Sequence, residues 1–483
     1  MQAQQSQLSK ALLADLRQIV GSDGVLHHPE ELLVYECDAY MLEKKLPTAV
    51  VLPRSTDEVV AVVKRCASDG LPIIPRGAGT SLSGAVLAVN GGVMIALTRM
   101  NRVLTVDTRN RRTLVEAGCV NAWVTNAVRT HGLYYAPDPS SQSACTIGGN
   151  VATNSGGPHT LKYGVTTNHV LGLELVQPDG TVVWLGTDPN TGEESPGYDL
   201  RGIVIGCEGM FGVVTRVLLK LERAPKVFRT LLGVFETVDA ASETVSAIIS
   251  SGIVPAAMEM MDQLITQAVE AAYQFGFPLD AGAILIIELD GLGPAIDRQT
   301  ERVLELCATN GSREVRIAKS AEERALIWKS RKRAFGAIGR LSPNYLTQDG
   351  VVPRSKLPEI MRFIQETSRK YELRIPNVFH AGDGNIHPLV LYDERDPDQV
   401  RRAVAAGNDI LEKCIALGGS VTGEHGIGIE KADFMAKQFS TEDLDAMRTL
   451  RSVFDPGQRC NPHKMFPGAK RCSEFAFKKQ IAA

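Results

Sequence analysis

No two of the nine cysteines, at positions 37, 66, 119, 145, 207, 307, 414, 460 and 472, form a C-x-x-C pair, and their number is odd. That argues against a secreted disulfide framework and fits a reducing compartment. It also leaves no clustered thiolates for an iron-sulfur centre, so any such centre belongs to a partner. A charge excess is missing too: Lys plus Arg at 52 against Asp plus Glu at 55 gives a formal net charge of -3, too little to recruit nucleic acid by field alone. No apolar run approaches the about 20 residues that span a bilayer. The start, MQAQQSQLSKALLADLRQIVG, lacks the cationic segment and apolar stretch of a signal peptide and reads as a first helix. The expectation is a soluble, cytoplasmic chain without a transmembrane segment, peripheral to the inner membrane only through a partner.

Hydrophobic residues make up 44% of the 483, so the chain is globular and too long for one ordinary core. Ser55-Thr-Asp-Glu58 is a capping box before Val59, Val60, Val62, Val63, Cys66 and Ala67 at helical spacing, and a short strand at 71–75 follows. After Arg223-Ala-Pro225 the elements lengthen: helices near 238–251 and 295–309, an apolar strand at 283–288, a charged helix near 321–340. This reads as an α+β domain with a helical cover. The expected division is 1–224, 225–453 and a tail, 454–483, that returns to the first domain. The basic pairs Lys470-Arg471 and Lys478-Lys479 read as a solvated terminus.

His380-Ala-Gly-Asp-Gly-Asn-Ile-His387 and Thr422-Gly-Glu424-His425-Gly gather metal-ligand side chains between glycines. If Gly382 to Asn385 form a hairpin turn, Ala381 pairs with Ile386 and His380 stands directly opposite His387. Both imidazoles then share one metal, with Glu424 as third ligand and His425 free as a base. Two histidines and a carboxylate suit zinc, iron or manganese. A metallohydrolase is disfavoured, since the helical H-E-x-x-H pattern is absent. Asn385 reads as support for the ligand set through its amide, and Asp383 as a turn former.

Arg76-Gly77-Ala78-Gly79-Thr80-Ser81, closed by Ser83-Gly84, follows a strand and offers backbone amides to an anion. It is neither G-x-G-x-x-G nor a P-loop, so a nicotinamide Rossmann site and a kinase both lose support. Further loops bring Pro137, Asp138 and Ser141; Thr146, Gly148, Gly149 and Asn150; Thr153, Asn154, Gly156 and Gly157; and Glu208, Gly209, Gly212, Val213 and Val214. Together they suit one elongated ligand of dinucleotide length.

On PRGAGTSLSG, PDPSSQ, TIGGNVATNSGG, GCEGMFGVVT, QDGVVPRSKL, FHAGDGNIH, TGEHGIG and FDPGQRCNPHKMFP, the chain resembles the flavin-dependent oxidoreductases of the vanillyl-alcohol oxidase type. Within them it is similar to the family of FAD-linked glycolate oxidase subunits and D-lactate and D-2-hydroxyglutarate dehydrogenases, over nearly its whole length. The resemblance implies an α+β architecture: a PCMH-type FAD domain of two subdomains, a substrate domain with an antiparallel sheet, and a C-terminal segment completing the flavin site. By this likeness the glycine loops line the FAD, Asn461 and Lys464 approach the isoalloxazine, and Arg331 in Trp328-Lys-Ser-Arg331 binds the substrate carboxylate. No histidine lies in the first glycine loop, so the FAD is expected to be non-covalent.

The expected chemistry is oxidation of a small 2-hydroxy acid, glycolate foremost, with His425 taking the hydroxyl proton, the metal easing that step and the hydride passing to FAD. Electrons then leave to a partner iron-sulfur subunit or quinone, beside a second flavin-fold subunit. D-lactate or D-2-hydroxyglutarate oxidation is the alternative in the same class, and a non-catalytic flavin-binding structural subunit the alternative outside it.

Overall fold

The computed structural model describes residues 8–468; Lys470-Arg471 and Lys478-Lys479 lie outside them. Helix Lys10–Val20 buries Leu12, Leu16 and Val20, one stripe at helical spacing, and Ser9 accepts the Leu12 amide as its cap. It packs beside Thr56–Ser68, capped by Ser55, over a four-stranded sheet ordered Val25–Leu26, Ala49–Val51, Val93–Ala96, Ile73–Arg76. The last three strands are parallel, which requires crossover connections, and they carry apolar side chains on both faces.

A five-stranded antiparallel sheet follows in the order Val103–Asp107, Arg112–Glu116, Val213–Lys220, Val170–Val176, Val182–Gly186. Before its strand Val170–Val176 the chain makes the short glycine-bearing helix Ile147–Thr153, which Thr146 caps by accepting the Gly149 amide.

A seven-stranded sheet spans the second half, in the order Ser312–Ile317, Val227–Phe235, Ala283–Gly291, Ala257–Asp262, Val378–His380, Asn385–Ile386, Gly350–Val351. All its pairs are antiparallel. One face packs on Val238–Ser250, Gly293–Thr309, Leu357–Tyr371 and Pro397–Ala416, and the other on Gln263–Tyr273 and Ala334–Ile338. Both faces are therefore apolar, which is why 283–287 reads as an unbroken hydrophobic run. The charged helix expected over 321–340 is two helices, Ala321–Lys332 and Ala334–Ile338. Arg333 breaks it at ψ 0, with its guanidinium 5.0 Å from the Tyr273 ring.

After helix Thr441–Phe454 the chain returns to the first half. Phe454 stacks on Phe211 at 4.7 Å, Cys460 bridges to Ile73, and Asn461 donates its amide to the Ala85 and Glu208 carbonyls.

Candidate active site

A cavity of about 360 Å³ is bounded by loops from both halves of the chain. Arg76, Gly77, Ala78, Gly79, Thr80 and Ser81 line it, with Ser141, Thr146, Gly148, Gly149, Asn150 and Thr153. Glu208, Gly209, Gly212, Val214 and Asn461 complete this side. A Cβ on Gly77 would stand 2.2 Å from Thr146 Oγ1, and Gly79 takes φ +72, so neither accepts a larger residue without strain. Asn150 Nδ2 is buried with no hydrogen-bond partner, as expected for a donor meant for a ligand. From the second half come Lys332, Phe335, Tyr345, His387, Glu424 and His425.

Several residues expected at the ligand stand behind this wall, for local reasons. Gly84 turns at φ +71 against Ile429, and Gly157 lies against the Asp138 carbonyl. The Pro137 carbonyl accepts from Asn121, and Asp138 is 3.0 Å from His159 Nδ1. Asn154 is the left-handed cap of helix Ile147–Thr153 and accepts the Thr167 amide. Gly156 lies between Thr160 and Glu424. Val213, neighbour in the strand to Val214, points into the core. Lys464 is fully buried and donates to the Leu87 carbonyl.

The hairpin differs in register from the expectation. Its turn is Ala381 to Gly384, with Gly384 at φ +81, and His380 pairs with Asn385 rather than His387. The turn closes one residue earlier because the left-handed position falls on Gly384. His387 lies two residues beyond Asn385 and so on the same side as His380, diagonally placed. The two ring centroids are 5.1 Å apart.

Glu424 joins them. Its Oε1 is 3.1 Å from His380 Nε2 and 3.2 Å from His387 Nε2, and one ligand atom from each residue falls within 4.8 Å of the others. Both His387 ring nitrogens and Glu424 Oε2 are buried without hydrogen bonds. A divalent cation fits this donor set: two imidazoles and a carboxylate, with His380 Nδ1 held at 2.7 Å by Glu259 so that Nε2 faces the ligand position. Burial pushes the Glu424 carboxyl up, but His380, with His387 and His425, holds it well below the usual carboxylate range. Burial holds His387 below its ordinary value, whereas at His380 burial is outweighed by Glu259 and Glu424, which hold it well above.

His425 stacks on His387, 4.8 Å between centroids and 10° between planes, with Nε2 3.6 Å from Glu424 Oε1. Arg331 is 1% exposed and gives Nε to Glu259 Oε2 at 2.6 Å, while its Nη2 has no partner. It thus stands behind the cavity wall with one donor unspent. Asn385 also stands back: its side chain packs against Gly423, where a Cβ would approach to 2.4 Å. Asp383 accepts the Asn385 amide at 3.1 Å, and burial raises its carboxyl to about 6.

Three acids that sequence reasoning missed hold this arrangement. Glu259 is shared by His380 and Arg331; a carboxylate flanked by methionines within the strand Ala257–Asp262 is the signal that marks it. Asp349 is fully buried and accepts from Thr422 Oγ1 at 2.6 Å, the Gly423 and His425 amides at 3.1 and 3.0 Å, and Lys431 Nζ at 3.1 Å. It also lies 4.0 Å from Nδ1 of both His387 and His425. Burial alone would raise its carboxyl; His425, Lys431 and His387 outweigh that and hold it well below normal. Glu288 is the third. It accepts from Arg324, Trp328 and Thr230 and lies 3.4 Å from His159 Nε2, tying the two halves together.

The first half of the chain matches the FAD binding domain over residues 47–186, and the second half matches the C-terminal domain of FAD linked oxidases over residues 224–465. The chain belongs to the FAD-linked oxidases and is a flavoprotein oxidoreductase. Among curated proteins it is 43% identical over 465 residues to the glycolate oxidase subunit GlcD of Escherichia coli K12, covering 96% of this chain and 93% of that one. It is 38% identical to GlcD of Bacillus subtilis over 95% and 97% of the two chains, and 32% identical to the D-lactate dehydrogenase of Anaerostipes hadrus over 87% and 90%. Among solved structures, p-cresol methylhydroxylase shares the fold with TM-score 0.80 at 19% identity, covering 94% of this chain and 96% of that one. No helix among the described residues is long and apolar enough to cross a membrane.

Proposed function

We propose that the protein oxidises a small 2-hydroxy acid, glycolate foremost, to the 2-oxo acid. The observation that carries this reading is a single cavity lined both by the glycine loops and by His387, Glu424 and His425. The glycine loops would hold FAD, which would supply the hydride acceptor, and His380, His387 and Glu424 would hold a divalent zinc, iron or manganese, which would supply positive charge for the substrate oxygens. His425 Nε2 takes the hydroxyl proton, and Asp349 lies 4.0 Å from Nδ1 on the other side of the ring. Arg331, whose Nη2 has no protein partner and whose orientation Glu259 fixes, is the candidate for the substrate carboxylate, a contact that requires the side chains in front of it to part. Asn385 props the Gly423 backbone under the ligand loop.

The eight cysteines among the described residues are all free, seven of them buried, and none is placed to hold an iron-sulfur centre. Passage of the electrons to a partner iron-sulfur subunit or quinone is the reading in keeping with relatives that are named as subunits. D-lactate is the second substrate reading, favoured by the Anaerostipes hadrus relative. The test is anaerobic flavin bleaching by glycolate, D-lactate, L-lactate and D-2-hydroxyglutarate, before and after chelation. Fast, chelator-sensitive bleaching by one short acid is the expected result. No bleaching by any of them, with FAD and metal bound, would overturn it.

A further inference from the structure

Two elements lead away from the ligand set, and each carries an aromatic ring into the cavity. Arg331, joined to His380 through Glu259, is followed four residues later by Phe335 on helix Ala334–Ile338. Asp349, beside His387 and His425, is preceded four residues earlier by Tyr345 on strand Asn344–Thr347. Tyr345 pairs with Leu391 and Thr347 with Leu389, and the Gln348 amide continues the pairing to the Pro388 carbonyl. Tyr345 therefore shares a side with Asp349, with about 13 Å of strand between their Cα atoms. Both rings line the cavity that holds His387, Glu424 and His425.

Neither ring has room to retreat. Phe335 and Tyr345 pack from behind on the core built from Leu232, Ile265, Ile286 and Leu391, and such a core resists displacement by even one methylene. Resting on the function proposed above, we infer that Phe335 and Tyr345 set the upper size of the substituent carried by C2 of the substrate. The substrate class is then 2-hydroxy acids with no side chain or a very short one. The carboxylate and hydroxyl stay at the ligand set, and whatever extends beyond C2 meets the two rings, beside which the second half adds only the Lys332 ammonium and the Tyr345 hydroxyl as further polar groups.

The experiment is anaerobic flavin reduction by glycolate, lactate, 2-hydroxybutyrate and 2-hydroxyhexanoate, with the holoprotein and with Phe335→Ala and Tyr345→Ala. Flavin content and melting temperature are recorded for each. In the unaltered protein, glycolate reduction tests the function itself, and its absence would overturn that reading rather than this one. Given glycolate reduction, the size filter predicts a steep fall from lactate to 2-hydroxybutyrate. It also predicts that at least one variant raises the 2-hydroxybutyrate-to-glycolate ratio of kcat/KM about tenfold or more, the usual scale for a methylene in an apolar pocket. Equal use of glycolate and 2-hydroxyhexanoate by the unaltered protein would overturn it. So would unchanged ratios in both variants. If either alanine variant fails to load flavin, Phe335→Leu and Tyr345→Leu, which keep apolar packing, are read by the same ratio.

Discussion

Replacing Asp349 by asparagine removes the charge on which the ligand loop is hung. The carboxylate accepts from Thr422 Oγ1 and the Gly423 and His425 amides, and pairs with Lys431, which is as fully buried as Asp349 itself. An asparagine keeps one acceptor oxygen and turns an NH2 towards groups that are themselves donors. Hydrogen bonds to a charged group contribute about 1.5–3 kcal/mol each, and stranding one member of a buried ion pair costs about 3–5 kcal/mol. These terms overlap, so we expect Asp349→Asn to lose about 3–5 kcal/mol. Lys431→Met should lose less, because the backbone amides still compensate the carboxylate. The double variant should regain part of the loss, since no unpaired cation is left inside. Urea unfolding of the four proteins closes the cycle, and a coupling of about 1–3 kcal/mol is expected for two groups in contact. Because Glu424 and His425 ride on the loop, metal content should fall in Asp349→Asn alongside stability. A coupling under about 0.5 kcal/mol, with metal content intact, would refute the reasoning.

Glu424→Gln should let the metal dialyse away while FAD stays bound, as metal analysis and the flavin spectrum of the same sample would show. His425→Asn should slow flavin reduction by about 10²–10⁴-fold, the range for loss of a general base, without loss of either group; a smaller effect in stopped-flow reduction would remove His425 from that role. Gly77→Ala, whose Cβ would stand 2.2 Å from Thr146 Oγ1, should lower the flavin-to-protein ratio on purification. The last concerns pH. Burial would depress His159, but Asp138 and Glu288 outweigh it and raise it to about 10 from an ordinary 6.5. Its charged form therefore stabilises the protein fully below about 6.5, and that contribution is lost as pH rises through about 10. The melting difference between the unaltered protein and His159→Gln should be largest near pH 6 and shrink towards pH 10; a difference that grows with pH would contradict the assignment.

Much of the site was legible because its chemistry is local in sequence. The glycine loops, the two histidines flanking one turn and the Glu424-His425 pair each sit within a few residues. What could not be read is what depends on distant partners. The turn of the hairpin could be drawn at Gly382 to Asn385 as easily as at Ala381 to Gly384, and only the closed sheet, with His380 beside Glu259 and Asn385 beside Val351, settles it. Asp349 and Glu259 were invisible for the same reason. Glu259 meets His380 and Arg331 across 121 and 72 positions, and Asp349 meets the Thr422 hydroxyl and the Gly423, Glu424 and His425 amides across more than 70. Lys464 and Val213, expected at the ligand, stand beside the cavity wall, turned from it by strand alternation or held by a nearer carbonyl. The family resemblance supplied Arg331, where a run of charges on one helix could not discriminate among its members.

The bond from Asn461 to the Ala85 and Glu208 carbonyls has a consequence for how the protein is made. A ribosome delivers the glycine loops hundreds of positions before it delivers Asn461, so the nascent first half emerges with one side of its cavity still open. The wall that Asn461 completes therefore closes only after the second half has been synthesised.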